Sequence, residues 1–315
     1  MTDAISAVVD AASSGERLVT VTSQPDGGDK NQPSPPVGGW PIPRWAVTVL
    51  ARRLCMTRFL VAAITLLVSS CATYHSFIPS GGVDKFYQVN GHRVHMMIEG
   101  EGPVVILSGG GGVNDPYVGF SKLISGLKNR KAKVALYERP GYGMSEGTNI
   151  PRTIDTVVQE LDQLFTMAEL KGPFVLVGHS MASLELLHYA QTFPTKVKAI
   201  VLLEGAPPKF YLTMKMPSDF EQSMSTFLFG LAKGNSLEIK SLVENANRVL
   251  QKGPLGEIPL LYFYAGANGI SGWAEAQKEF SELSNKSEPI FIKDANHFIY
   301  EENTDEILRK IGELL

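Results

Sequence analysis

The hydrophobic pattern breaks into short apolar runs bounded by turn residues. The clearest is Phe174–Val177, four apolar residues after Gly172-Pro173, which predicts a buried strand of a parallel sheet. Beyond Ser180, apolar positions Leu186, Tyr189, Ala190 and Phe193 recur at helical spacing until Pro194 stops the helix. Upstream, alternating residues on either side of Asn90-Gly91 predict two strands joined by a hairpin turn. The run Val104–Leu107 predicts a further strand, feeding directly into Gly109–Gly112.

Ser180 therefore sits between a strand and a helix, flanked by Gly178 and Ala182. This G-x-S-x-small arrangement is the nucleophile elbow pattern, in which a strained turn needs small neighbours where strand and helix pass closely. An ordinary strand–turn–helix with a capping serine carries the same short signal. The ordered series of motifs around it is more specific. Lys133–Tyr137 leads into an R-x-G-x-G-x-S turn at Arg139, Gly141, Gly143 and Ser145. Further strand motifs run over Val197–Glu204, Ile258–Gly266 and Pro289–His297, the last ending in Asn296-His297 ahead of Phe298.

From about Phe86 to the C-terminus, this series resembles the α/β-hydrolase superfamily. The resemblance implies an α/β-hydrolase fold: a mostly parallel sheet flanked by helices, with a helical cap inserted after the strand ending at Glu204. The cap would span about 206–257, within a hydrolase domain of 76–315. Its aromatic and methionine side chains, Phe210, Tyr211, Met214, Met216, Phe220, Met224, Phe227, Leu228 and Phe229, would either face substrate or form the cap's own core.

Composition agrees with a large single core. The chain has 315 residues, 44% hydrophobic and 19% charged, with a formal net charge of −3. No long basic run is present, so nucleic acid is not an expected partner. No metal-ligand cluster or dinucleotide fingerprint is visible, and no cofactor is implied. The two cysteines, Cys55 and Cys71, lie outside the hydrolase region, so it contains no internal disulfide.

The N-terminal quarter has a different character. Pro and Gly crowd residues 25–43 without periodicity, the composition of a disordered segment. Arg58, an apolar stretch from Phe59 to Val68, and Ser69-Ser70-Cys71 follow Met56 in the layout of a secretory signal. Val68–Cys71 resembles a bacterial lipobox, which makes Cys71 the expected lipidated residue and 56–71 the signal. The apolar stretch is about half of the ~20 residues that a membrane span needs, which argues against the alternative of an uncleaved anchor. Met56 is the expected true start, with residues 1–55 a disordered or mis-assigned extension. The expected location is a lipid-anchored position in the bacterial cell envelope, with secreted, periplasmic or single-pass forms as alternatives.

A serine hydroxyl needs a base. His75 lies beside the anchor, His92 and His95 in the hairpin, His179 at the elbow with its side chain expected to pack or hydrogen-bond locally, and His188 in the following helix. Only His297 follows the last strand, at the carboxyl edge where such sheets bind ligands. The resemblance assigns it as the catalytic histidine. It also assigns the oxyanion donors to the amides of Met181 and Gly110, with Ser108-Gly109 replacing the family's usual His-Gly. A phosphate cradle is the other use of such glycines, but the Lys-Ser/Thr ending of a P-loop is missing. The triad acid departs from the common pattern: Gly266-Ala267-Asn268-Gly269 carries none, and Glu204, at the end of the preceding strand, is the leading candidate. The expected activity is hydrolysis of a small or medium apolar carboxylic ester by a Ser180–His297–Glu204 triad. Dehalogenase and epoxide-hydrolase chemistry are disfavoured, because the members of the superfamily that carry them out use an aspartate nucleophile where Ser180 stands. The alternatives are peptide, lactone or carbon–carbon cleavage, and a non-catalytic, lipid-anchored ligand-binding protein.

Overall fold

The computed structural model describes residues 82–111, 116–213, 233–267 and 272–315. The signal, Cys71, Asn268, Gly269 and the cap segment from Met214 to Phe229 lie outside the described residues. Strands β1 (Val83–Val89) and β2 (His92–Glu99) form the expected hairpin, with Asn90 and Gly91 both at positive φ, 47° and 84°. That is the backbone an Asn-Gly two-residue turn adopts to match strand twist.

Six further strands run parallel to one another: β3 (Val104–Ser108), β4 (Lys133–Tyr137), β5 (Phe174–His179), β6 (Val197–Leu203), β7 (Leu260–Ala265) and β8 (Ser287–Ile292). The sheet order is β1-β2-β4-β3-β5-β6-β7-β8, with β2 antiparallel to both of its neighbours. The order reverses direction at β3, which lies between β4 and β5 and sends its glycine loop towards the carboxyl edge of β5.

The central strands are buried on both faces, as uninterrupted apolar runs require. Ile106, Leu176, Ile200, Leu202 and Tyr262 pack on one face against α2 (Ile154–Met167), α3 (Ala182–Thr192) and α5 (Lys233–Lys252). Val105, Leu107, Val177, Val201, Leu203 and Phe263 fill the other face beneath α1 (Pro116–Asn129), α8 (Ile299–Glu302) and α9 (Thr304–Gly312). Successive residues thus serve opposite cores, the period-two geometry of a strand. Between β6 and β7 the described cap consists of α4 (Pro208–Thr213) and α5. After β7 come the short α6 (Trp273–Ala276) and α7 (Phe280–Leu283). No helix among the described residues is long and apolar enough to cross a membrane.

Candidate active site

Strand register gathers the candidate residues. Ser108 pairs with Gly178, His179 with Leu203, and Leu203 with Phe263. Each strand then leaves the sheet at nearly the same height. Gly109 and Gly110 emerge beside Ser180, and Ser180 emerges beside Glu204. Two residues are held at positive φ there, Ser180 and Glu204, both at 52°. Such a backbone disfavours a side chain by roughly 1–2 kcal/mol, and it is stabilised here by hydrogen bonds from both flanks. Ser180 N–H donates to Leu203 O at 3.2 Å, and Ala206 N–H donates to Ser180 O at 3.0 Å. Glu204 N–H donates to Phe263 O at 2.8 Å.

The small residues around Ser180 have a steric cause. A Cβ at Gly178 would meet Leu186 Cδ1 at 2.6 Å and Ala182 Cβ at 3.3 Å, so strand and helix touch there. Ala182 itself is fully buried, and its single methyl fits.

His297, on the loop after β8, faces the completely buried Glu204 carboxylate. Nδ1 lies 3.2 Å from Glu204 Oε2, and Glu204 Oε1 accepts the Ala265 N–H at 2.5 Å. Glu204 immediately follows β6, so the acid comes from that strand end. The His297 ring hydrogen-bonds through Nδ1 to Glu204, with no bond from Nε2 to Ser180 Oγ; such bonds are often long until substrate is held. On the other side of Ser180, a Cβ added to Gly110 would stand 3.1 Å from Ser180 Cβ. Among the described residues, neither Gly110 N–H nor Met181 N–H has a backbone acceptor. Two amides without a backbone acceptor among the described residues, beside a serine at a helix start, are suited to bind a developing negative oxygen.

His179 departs from the expected local contact. Its Nε2 donates to the carbonyl of His297, 2.9 Å away and 118 residues along the chain, and the two rings stack obliquely at 4.7 Å. The tight elbow turns this side chain under the His297 loop. Burial, with the nearby His297 and Arg139 charges, lowers its pKa to about 3, so it stays neutral. The remaining described histidines are engaged elsewhere or packed: His95 lies between Asp84 and Glu138, His188 against Asp155, and His92 is buried in the hairpin.

Two residues entered the site unannounced. Trp273 packs edge-on against His297 at 5.8 Å and against Phe210 at 5.0 Å, joining the cap to the histidine loop. No periodic pattern in the sequence around it marked its position. Arg139, visible in the sequence only as part of a turn motif, reaches the glycine loop after β3 and donates to Gly109 O and Gly110 O, each at 2.8 Å.

Comparison with known proteins agrees with this architecture. A family model described as alpha/beta hydrolase fold matches residues 102–235. The Bacillus subtilis protein YbdG is 30% identical over 164 residues, covering 50% of this chain and 50% of that protein; the match spans half the relative's length. The B. subtilis protein YqjL is 24% identical over 229 residues, covering 70% of this chain and 87% of its own. Among solved structures, epoxide hydrolase VrEH1 from Vigna radiata superposes with a TM-score of 0.58 at 17% identity, covering 74% of this chain and 97% of that one. Sheet order, elbow and matched segment together show that this chain has the α/β-hydrolase fold.

Proposed function

We propose that the protein is a serine hydrolase that cleaves small or medium apolar carboxylic esters. The observation that carries the reading is the buried Glu204 facing His297 Nδ1 at the sheet edge from which the strained Ser180 projects. A carboxylate on Nδ1 favours the tautomer with its proton there, leaving the Nε2 lone pair for the serine hydroxyl. Ser180 Oγ attacks the ester carbonyl while His297 takes its proton. The amides of Gly110 and Met181 stabilise the tetrahedral oxyanion. Collapse breaks the carbon–oxygen bond, and His297 returns the proton to the leaving alcohol. Water then repeats the sequence on the acyl-enzyme, releasing the acid and free Ser180. The similarity to epoxide hydrolases is one of fold, at identities where chemistry does not transfer. A serine at the strand-to-helix turn, with a histidine–carboxylate pair at the neighbouring strand end, is equipped for acyl transfer.

A fluorophosphonate probe followed by peptide mass spectrometry tests the reading. Labelling of Ser180 in the wild type, lost in Ser180→Ala, supports it; an unlabelled wild type at excess probe favours a non-catalytic binder. The anchor belongs to the same proposal: Cys71 is lipidated and holds the hydrolase at the cell envelope. Mass spectrometry of the mature N-terminus tests this, and an unmodified thiol at Cys71 would refute it.

A further inference from the structure

We infer that Arg139 is a positioning residue that aims the oxyanion loop, and that its ion pair with Glu238 ties the loop's geometry to the seating of cap helix α5. This role rests on the serine-hydrolase reading and adds a regulator to the same site. Across a planar trans peptide, the carbonyl of one residue and the N–H of the next point in opposite directions. Holding Gly109 O at 2.8 Å therefore fixes the direction of the Gly110 N–H, and holding Gly110 O fixes that of Gly111. Glycine peptides are otherwise the freest to rotate. A planar guanidinium with five donors can grip two carbonyls and still face an acid.

That acid is Glu238. Arg139 Nε lies 3.1 Å from its Oε1, and Tyr142 OH donates to its Oε2 at 2.8 Å. Arg139 and Glu238 are both buried, and Arg139 stacks over the Tyr142 ring at 4.8 Å. The base of the loop joins the same network. Ser108 Oγ bonds to Glu185 and, at 3.1 Å, to Tyr137 OH, while Glu185 lies 3.8 Å from Arg139. The family's usual histidine anchor is replaced here by a serine tied into a buried arginine–glutamate cluster. A cavity of about 30 Å³ touches Arg139, Glu185, Glu238 and Met181, so the cluster borders the residue that supplies the other oxyanion donor. Displacing α5 would leave the Arg139 charge partly unpaired in a buried site, and the loop would lose its fixed direction.

Arg139→Lys and Glu238→Gln separate positioning from simple support. Each would be assayed with p-nitrophenyl butyrate, with active sites counted by fluorophosphonate labelling. Inhibition by 1,1,1-trifluorooctan-2-one, whose adduct with serine carries the oxyanion, supplies the second readout. Arg139→Lys keeps the charge but loses the fork: kcat per labelled site should fall about 100-fold, KM should stay within about threefold, and Ki should rise in step with the loss in kcat/KM. Glu238→Gln, which keeps the shape of the contact, should show the same pattern at about 5–10-fold. A merely structural role would reduce the number of labelled sites while leaving kcat per site and Ki unchanged, and that result in Glu238→Gln overturns the coupling. If Arg139→Lys does not fold, Glu238→Gln decides alone. A wild type that fails to label is a different outcome, for it removes the hydrolase reading itself and this role with it.

Discussion

Glu204 holds His297 with one carboxylate oxygen and the β7 backbone with the other: Oε2 is 3.2 Å from Nδ1, and Oε1 accepts the Ala265 N–H at 2.5 Å. The second bond stops the carboxylate from rotating, so the imidazole is offered one fixed acceptor. Glu204→Gln keeps the shape but cannot stabilise an imidazolium, and its amide can present an N–H where an acceptor is needed. A tautomer error of this kind costs on the order of 10⁴ in turnover, so kcat should fall roughly 10²–10⁴ with little change in KM. Steady-state kinetics on a p-nitrophenyl ester measures it. An unaffected kcat would show that Glu204 serves only the strand ends.

Ser180 sits at a φ of +52°, half-buried, with its backbone bonded on both sides. Ser180→Ala removes the proposed nucleophile but retains the Cβ, so turnover should vanish while stability changes within about 1 kcal/mol. Ser180→Gly should be equally inactive yet more stable than Ser180→Ala by about 1 kcal/mol, because glycine carries no penalty at positive φ. Urea unfolding of the two inactive variants provides the comparison. Equal stabilities would mean that the turn stores no strain at this position.

The elbow was legible in the sequence because its constraints are local: Gly178 and Ala182 are small for steric reasons that act within a few residues. The strands were legible because apolar runs such as Val104–Leu107 and Phe174–Val177 are buried on both faces. The contact between Glu204 and His297 was anticipated from the resemblance, which places an acid either in the turn after β7, where this chain has none, or at the preceding strand end, where Glu204 stands. What escaped is contact between other distant segments. Nothing near Arg139 in sequence reveals that its guanidinium reaches the Gly109 and Gly110 carbonyls, and nothing near His179 reveals the His297 carbonyl. Those contacts depend on sheet order, which only the folded chain supplies.

Gly110 faces a wall that admits no side chain. A Cβ there would come within 2.7 Å of His179 Nδ1 and 3.1 Å of Ser180 Cβ. Gly110→Ala must therefore push the oxyanion loop away from the serine or displace the buried His179. Losing one aligned donor costs about 10²–10³ in kcat, so the variant should fall in that range while still folding. Gly147, whose added Cβ would meet nothing, gives the control: Gly147→Ala should leave kcat unchanged. Full activity in Gly110→Ala would remove this loop from the oxyanion hole.

His179 should make the fold acid-sensitive in a way that one substitution exposes. Burial is the main cause of its lowered pKa of about 3, reinforced by the His297 and Arg139 charges, and its Nε2 hydrogen bond to His297 O opposes the shift. The ordinary histidine value is about 6.5. Between these values the unfolded chain binds a proton that the folded chain refuses, so stability is retained above about pH 6.5 and falls as the pH drops towards 3. His179→Gln keeps an amide N–H for the His297 carbonyl and cannot titrate. From pH 6.5 to pH 4.5 the wild type should therefore lose about 2 kcal/mol more stability than the variant. Carboxylates titrating in the same range contribute to both curves and cancel in the difference. Urea unfolding midpoints across the series read it directly. Parallel curves would show that His179 titrates normally in the folded chain, and its neutral role as a prop for the His297 loop would fall with that result.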